Sequence, residues 1–141
     1  MSTDAFIALM NQHAPPALQK LRGRVQRFDA DSETLELRFD INESFCHSGH
    51  IIQGGFIAGM LDEAMAHVVF MHLQAFAVVA TLEIKVNFFE IARPGEIIAY
   101  GRVAKLGKSI GFLEAELTDA GGVLLANATS TARIIRKNLR H

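Results

Sequence analysis

Hydrophobic and polar residues alternate along several stretches of the chain, a pattern typical of β-strands with one buried face. In the stretch 35–41, apolar side chains occupy every second position and are separated by Glu36, Arg38 and Asp40. Similar stretches recur after a long apolar segment in the middle of the chain. The strands predicted on this basis span residues 25–28, 35–41, 78–89, 97–106, 112–118 and 123–135.

Short polar or glycine-containing segments lie between these stretches and predict tight turns. Strands that are joined by such turns run antiparallel to each other. The chain therefore predicts an antiparallel sheet of five to six strands. The predicted turns are 29–32, 93–95, 107–109 and 119–122.

The segment 54–73 is apolar nearly all round a helical projection, which predicts one long buried helix. A loop over 42–53, rich in Gly, Ser and His, precedes it. A short helix over 3–12 is predicted near the N-terminus because its apolar residues share one helical face, and Pro15 ends it. One long helix lying across one face of an antiparallel sheet is an α+β layer architecture.

The chain has 141 residues, half of them apolar, and a net charge of -1. This length predicts a single domain over 1–141, with its core over about 21–136. The charge balance argues against nucleic acid as a partner, and the apolar content argues against intrinsic disorder. The single cysteine, Cys46, excludes an intrachain disulfide and fits a reducing compartment.

The most apolar segment, 56–79, contains Asp62, Glu63, His67 and His72, which make it a poor membrane span. The first residues of the chain lack the basic stretch that opens a secretory signal peptide. We therefore expect a soluble cytoplasmic protein with no membrane partner.

The candidate chemistry lies in the long helix. Gly54 and Gly55 leave backbone N–H groups accessible at its start, where the helix dipole favours a negative charge. Asp62 and Glu63 follow among apolar residues, where a buried carboxylate carries a desolvation cost. Together these features indicate a site that stabilises an oxyanion and uses a carboxylate for catalysis.

The order of elements, the glycine pair that opens the central helix and the acid eight residues after the first glycine resemble the hotdog fold. More narrowly, the chain resembles acyl-CoA thioesterases of the phenylacetic-acid-degradation type over about residues 21–135. Those enzymes have Asn or Gln in the loop, then His-Gly-Gly, then Leu-x-Asp or Leu-x-Glu on the helix. The matching segments here are Gln53-Gly54-Gly55, Leu61-Asp62, the strand 81–84 and the strand 122–126.

The resemblance implies a role for each of three residues. Asp62 would activate water against the thioester carbonyl or attack that carbonyl itself. The N–H of Gly54 would hold the oxyanion as it develops, and Thr81 would help to place the water. Glu63 points about 100° away from Asp62 on a helix and is expected to have a structural role, such as pairing.

The polar loop departs from the family pattern in two places. Gln53 replaces the histidine that often precedes the glycines, and His47 stands where the family has Asn or Gln. An imidazole can still donate a hydrogen bond to a thioester carbonyl or position a water. His50 and Asn42 are the alternatives if the loop aligns differently. No third ligand residue joins His47 and His50 at metal-binding spacing, so neither a metal nor another cofactor is expected.

Substrate contacts are expected around the glycine pair, from Gln53, Gly55 and Phe56. Coenzyme A carries phosphates, so basic residues should edge the site, and Lys108 is the first candidate. Other basic candidates are Lys105, Arg133, Arg136 and Lys137, and candidates for an acyl pocket are Phe56, Ile57, Phe88 and Phe89.

The spacing of Gly54 and Asp62 predicts a dimer. Eight residues of helix separate them by about 12 Å, at ~1.5 Å per residue. A reacting carbonyl must lie within about 3 Å of both the oxyanion donor and the attacking group. One helix cannot meet both conditions, so we expect a two-fold dimer in which Gly54 of one subunit faces Asp62 of the other. The resemblance also implies that dimers pair into tetramers.

Two other functions fit parts of the same pattern. Hotdog dehydratases of hydroxyacyl thioesters combine a loop histidine with a helix carboxylate, which His47 or His50 and Asp62 or Glu63 could imitate. The glycine pair after Gln53 argues against that function. A non-catalytic acyl-CoA-binding module would keep the cavity without needing Asp62. The pattern as a whole favours a hotdog acyl-CoA thioesterase that hydrolyses acyl- or aryl-CoA to the free acid and CoA.

Overall fold

A computed structural model of the chain describes residues 1–136. Over these residues it contains a six-stranded sheet, a two-stranded hairpin and three α-helices. The helices are α1 (Thr3–Gln12), α2 (Pro16–Lys20) and α3 (Gly54–Leu73). The strands are β1 (Gly23–Asp29), β2 (Thr34–Ile41), β3 (Cys46–Ser48), β4 (Ile51–Ile52), β5 (Ala77–Phe88), β6 (Gly95–Leu106), β7 (Ile110–Asp119) and β8 (Leu124–Arg136).

The six long strands form one sheet in the order β1-β2-β6-β7-β8-β5, and each neighbouring pair is antiparallel. The predicted antiparallel sheet is therefore confirmed. Strand β5 lies at one edge of this sheet. Within residues 1–136 it pairs with β8 alone, which leaves the backbone polar groups along its other edge without a strand partner.

Helix α3 lies across one face of the sheet and spans the predicted residues. It comes very close to β6 at Gly101, where an added methyl group would lie 2.5 Å from the carbonyl oxygen of Ala64. That contact requires glycine, because any side chain there would push the helix off the sheet. The buried core between α3 and the sheet includes Leu37, Phe39, Met60, Leu61, Met65, Val68, Ile97 and Leu117.

Helix α1 packs against the same core and is anchored to β1 by hydrogen bonds. The hydroxyl of Ser2 accepts a hydrogen bond from the N–H of Ala5 (3.1 Å) and caps α1. The side-chain amide of Asn11 donates to the carbonyl of Val25 (2.9 Å) and accepts from its N–H (2.8 Å). These two bonds hold α1 against β1, and on α1 the ring of Phe6 is buried and stacks on Phe76.

The loop predicted over 42–53 is more regular than expected. It contains a 3-10 turn (Glu43–Phe45) followed by the hairpin of β3 and β4. Strands of three and two residues are too short for an alternating pattern to reveal them. The hairpin ends at α3, where the N–H of Gln53 donates to the carbonyl of Phe45 (2.9 Å).

By length and composition alone, α3 could cross a membrane, since one 18-residue window has a mean hydropathy of 1.3. Half of that window is buried inside the protein. The helix is therefore accounted for as the core helix of this domain.

Candidate active site

The structure brings two of the predicted site residues into direct contact. Asp62 lies about two turns after the start of α3 and is partly buried, and Thr81 lies on the neighbouring strand β5. The hydroxyl of Thr81 donates a hydrogen bond to Oδ1 of Asp62 (2.8 Å). This bond orients the carboxylate and leaves its second oxygen available to a water or a substrate.

A β-bulge makes this contact compatible with the rest of β5. It lies between Thr81 and Glu83, with Leu82 as the extra residue. A bulge shifts the alternation of side chains beyond it from one face of the sheet to the other. Thr81 therefore shares the α3 face of the sheet with Ile84 and Phe88, although an uninterrupted strand would place them on opposite faces.

The start of α3 offers unused hydrogen-bond donors. Gln53 is the N-cap residue, and its side chain makes no capping bond to the helix. Within residues 1–136, the N–H groups of Gly54 and Gly55 donate to no protein acceptor, as is usual for the first turn of a helix. This end of α3 can therefore stabilise a negatively charged oxygen.

An apolar pocket of about 300 Å³ adjoins this helix start. The ring of Phe88 lies beside Gly54, where an added methyl group would be 3.3 Å from its Cζ atom. Phe88, Phe89 and Ile57, three of the predicted acyl-pocket residues, line the pocket. Phe56 does not line it and packs edge-on against Phe45 at 5.0 Å between ring centroids. The remaining lining residues are Ile51, Ile52, Gly54, Glu90, Ile91 and Ala92.

The polar side chains of the loop differ in how far their hydrogen-bonding groups are already occupied by other protein groups. Asn42 caps the 3-10 turn by accepting the N–H of Ser44 (2.9 Å), and His50 pairs with Glu43. His47 is exposed on β3, and its Nδ1 contacts only the hydroxyl of the adjacent Ser48 (2.9 Å) within residues 1–136. Of the three candidates, His47 therefore keeps the side chain most available to a ligand.

Cys46 does not have the features of a nucleophile. It is half-buried, and desolvation, together with the nearby carboxylate of Glu43, raises the pKa of its thiol. Across residues 1–136, His, Cys, Asp and Glu side chains form no group of three that could hold a metal ion.

Within one chain, the predicted site residues fall into two separate groups. His47, Gln53 and the two glycines lie at the start of α3, whereas Asp62 and Thr81 lie two turns further along it. Lys108 is exposed in the turn between β6 and β7, at the end of the sheet where Thr81 lies, and strand β8 separates β7 from β5. The carbonyl of Ser109 in that turn accepts the N–H of Ile134 (2.7 Å), two residues from Ala132, which pairs with Thr81. Lys137 lies outside the described residues.

A buried histidine that the sequence analysis did not single out, His67, lies one turn after Glu63 on α3. Its Nδ1–H donates to the backbone carbonyl of Glu63 (2.8 Å). Desolvation lowers the pKa of His67. The pKa of Glu63 is raised from 4.5 to about 7, mainly by desolvation and to a smaller extent by the charge of Asp62. Burial therefore favours the neutral form of His67. The four-residue spacing of the two residues is the signal that could have revealed the pair.

The sheet wrapped over a single central helix, with a carboxylate and a glycine-rich start on that helix, defines a hotdog protein. The chain belongs to the Thioesterase superfamily, whose family model matches residues 49–126. That match includes all of α3 and the strands β5 to β7. The protein is therefore a thioester hydrolase with the hotdog fold.

Solved structures share this fold. A phenylacetic acid degradation-related protein from Ralstonia eutropha JMP134 is 28% identical, with a TM-score of 0.79 over 91% of this chain and 98% of that one. A thioesterase from Haemophilus influenzae (15% identical, TM-score 0.81, 100% and 96% covered) shares the fold. So does the PaaI protein of the E. coli phenylacetic acid degradation operon (15% identical, TM-score 0.78, 95% and 96% covered). Comparison with curated proteins found no match.

The raised pKa of Glu63 predicts a specific pH dependence of stability. Between pH 4.5 and about 7, the native state keeps a proton that Glu63 has lost in the unfolded chain, so the free energy of unfolding falls as the pH rises. The variant Glu63→Gln should therefore lose less stability over this window than the wild type. Denaturant unfolding at a series of pH values measures this difference. Glu116→Gln, on an exposed part of β7, is the control, and parallel curves for wild type and Glu63→Gln would contradict the prediction.

Proposed function

We propose that this thioester hydrolase cleaves acyl- or aryl-CoA thioesters to the free acid and CoA, without a metal or redox cofactor, as a cytoplasmic enzyme. The observation that carries the proposal is the 2.8 Å hydrogen bond from Thr81 to Asp62. It joins the helix carboxylate to a strand hydroxyl at an open edge of the sheet, which is the arrangement needed to orient a base toward a water.

In the proposed reaction, Asp62 takes a proton from water as the water attacks the thioester carbonyl carbon. Alternatively, its free oxygen attacks that carbon and forms a mixed anhydride, which water then hydrolyses to the free acid and the regenerated carboxylate. In both routes the carbonyl oxygen becomes negatively charged, and the carbon–sulfur bond then breaks to release the CoA thiolate. Both routes need the same carboxylate, so replacing Asp62 tests the assignment whichever route is followed.

The N–H of Gly54 is the proposed oxyanion donor. It has no protein acceptor within residues 1–136 and lies at the positive end of α3. Preorganised donors of this kind stabilise the charge that develops in the transition state more than the neutral carbonyl of the substrate. His47, exposed next to this helix start, is proposed as a second polar contact to the thioester or to the attacking water.

The edge strand β5 suggests how the two groups of residues meet. Gly54 contacts Phe88 at one end of β5, and Asp62 contacts Thr81 near the other, about 20 Å apart at ~3.3 Å per residue. If the free edges of two β5 strands pair about a two-fold axis, the strands run antiparallel. The Phe88 end of one subunit then lies beside the Thr81 end of its partner. This pairing would bring Gly54 of one subunit toward Asp62 of the other.

The side chains of β5 favour such pairing. Leu82 and Ile84 are 61% and 36% exposed, and Phe88 is 55% exposed, which is unusual for apolar residues on an edge strand. Glu83 and Lys85 carry opposite charges two residues apart, so a two-fold axis near Ile84 would set each glutamate against the partner's lysine. We therefore propose a homodimer with two composite sites, and pairing of such dimers into tetramers remains a prediction.

The proposed substrate contacts follow from the same arrangement. Gln53, Gly55 and Phe56 surround the helix start that would hold the thioester. Lys108 lies in an exposed turn on the Thr81 side of the sheet, where it could neutralise a CoA phosphate.

Removing the carboxylate tests the proposed chemistry. Asp62→Asn should lower kcat for CoA ester hydrolysis at least ~100-fold, the scale expected for loss of an acid–base group. Thr81→Val, which removes the orienting hydroxyl, should cause a smaller loss. The assay is thiol release from a panel of short-chain, long-chain, phenylacetyl and hydroxybenzoyl CoA esters. The control is Asp40→Asn, which removes an exposed carboxylate paired with Arg22. Wild-type kcat in a folded Asp62→Asn variant would contradict the proposal.

Two substitutions of Gly54 isolate the role of its N–H. Proline is well tolerated at the first position of a helix, and Gln53 already has the extended conformation that precedes proline. Gly54→Pro removes the donor and should lower kcat about 100- to 1000-fold. Gly54→Ala introduces the same Cβ but keeps the N–H, so it should retain most of the activity. Equal kcat values for the two folded variants would show that the N–H is not the oxyanion donor.

A further inference from the structure

The pocket beside Gly54 is open to solvent and is lined mainly by apolar residues. Its large apolar side chains are Ile51, Ile52, Ile57, Phe88, Phe89 and Ile91. Within residues 1–136 of one chain, Glu90 is the charged residue that lines it. Its volume of about 300 Å³ is at the lower limit for small-molecule pockets. Such a pocket fits a compact, uncharged acyl group better than a long or anionic one.

The ring of Phe88 occupies a particular place in this pocket. Its Cζ and Cε1 atoms would lie 3.3 and 3.4 Å from a methyl group added at Gly54, so the ring packs directly against the first residue of α3. A carbonyl oxygen bound to the Gly54 N–H would lie about 3 Å from that nitrogen. The acyl carbons next to the carbonyl would then be the part of the substrate closest to the Phe88 ring.

We propose that Phe88 is the residue that determines acyl specificity, by limiting the bulk of the acyl group next to the thioester carbonyl. This inference rests on the proposed function, because it takes Gly54 as the oxyanion donor. A linear acyl chain passes the edge of the ring and continues toward Phe89 and Ile91. A chain that branches at the carbon next to the carbonyl collides with the ring. The preferred substrates are therefore compact, uncharged acyl-CoA esters that are unbranched at that carbon.

Two isomeric esters, butyryl-CoA and isobutyryl-CoA, test this proposal because they differ only in branching next to the carbonyl. The measured quantity is the ratio of their kcat/KM values. In Phe88→Leu and Phe88→Ala this ratio should shift toward isobutyryl-CoA by at least ~10-fold relative to wild type, the scale of one methyl group in an apolar pocket. Phe112→Ala removes a comparably exposed phenylalanine on the opposite face of the sheet and should leave the ratio unchanged.

A second comparison links Phe88 to Gly54. Gly54→Ala should shift the ratio further against isobutyryl-CoA, because its methyl group crowds the Phe88 ring. Adding Phe88→Leu should reverse that shift. If the folded Phe88 variants and the double variant keep the wild-type ratio, the specificity role of Phe88 is wrong while the proposed function stands. If the wild type hydrolyses no CoA ester of the panel, the proposed function itself fails.

Discussion

The close contact between α3 and β6 is the constraint on which the rest of the structure depends. At Gly101 the strand backbone comes so near the carbonyl of Ala64 that a methyl group would lie 2.5 Å from its oxygen. Since interiors are close-packed, a helix seated at this distance cannot shift without opening voids along the core. Both the N–H of Gly54 and the carboxylate of Asp62 belong to this helix, so its seat on the sheet determines where both functional groups lie.

The position of α3 on the sheet also explains why the site residues of one chain fall into two groups. Because α3 crosses the sheet, its start and its third turn reach different ends of the edge strand β5. The start lies against Phe88, and Asp62 lies against Thr81. Neither group can approach the other within one chain. A strand whose free edge carries exposed apolar residues offers the contact that brings the two groups together in a pair of chains.

Much of the fold could be predicted because local and global signals agree. The helix over 54–73 is confirmed at both ends, since an apolar segment follows a glycine pair and no competing pattern interrupts it. The strands follow from alternation, and the predicted ends lie within two residues of the observed ones. The structure brings Asp62 and Thr81, to which the resemblance gives roles around one water, into direct contact, and the roles of both residues remain predictions.

Other features of the structure cannot be recognised in the local pattern of hydrophobic and polar residues. The bulge at Leu82 lies in a run of alternating residues without a glycine, so only the pairing with β8 reveals it. The hairpin of β3 and β4 is too short to alternate. Burial of His67 depends on how its helix face packs, which the spacing of charged residues along the chain does not determine. In the sequence, Phe56 is a candidate for the acyl pocket because it follows the glycine pair. Its ring packs against Phe45 and does not line the pocket beside Gly54.

The most direct test of the composite site mixes two inactive subunits. Asp62→Ala and Gly54→Pro chains are produced together with different affinity tags, and mixed dimers are purified through both tags. If Gly54 of one subunit works with Asp62 of the other, each mixed dimer has one intact site and should show about half of the wild-type activity. If both residues act within one chain, the mixed dimer would be as inactive as its parents, and that result would contradict a composite site.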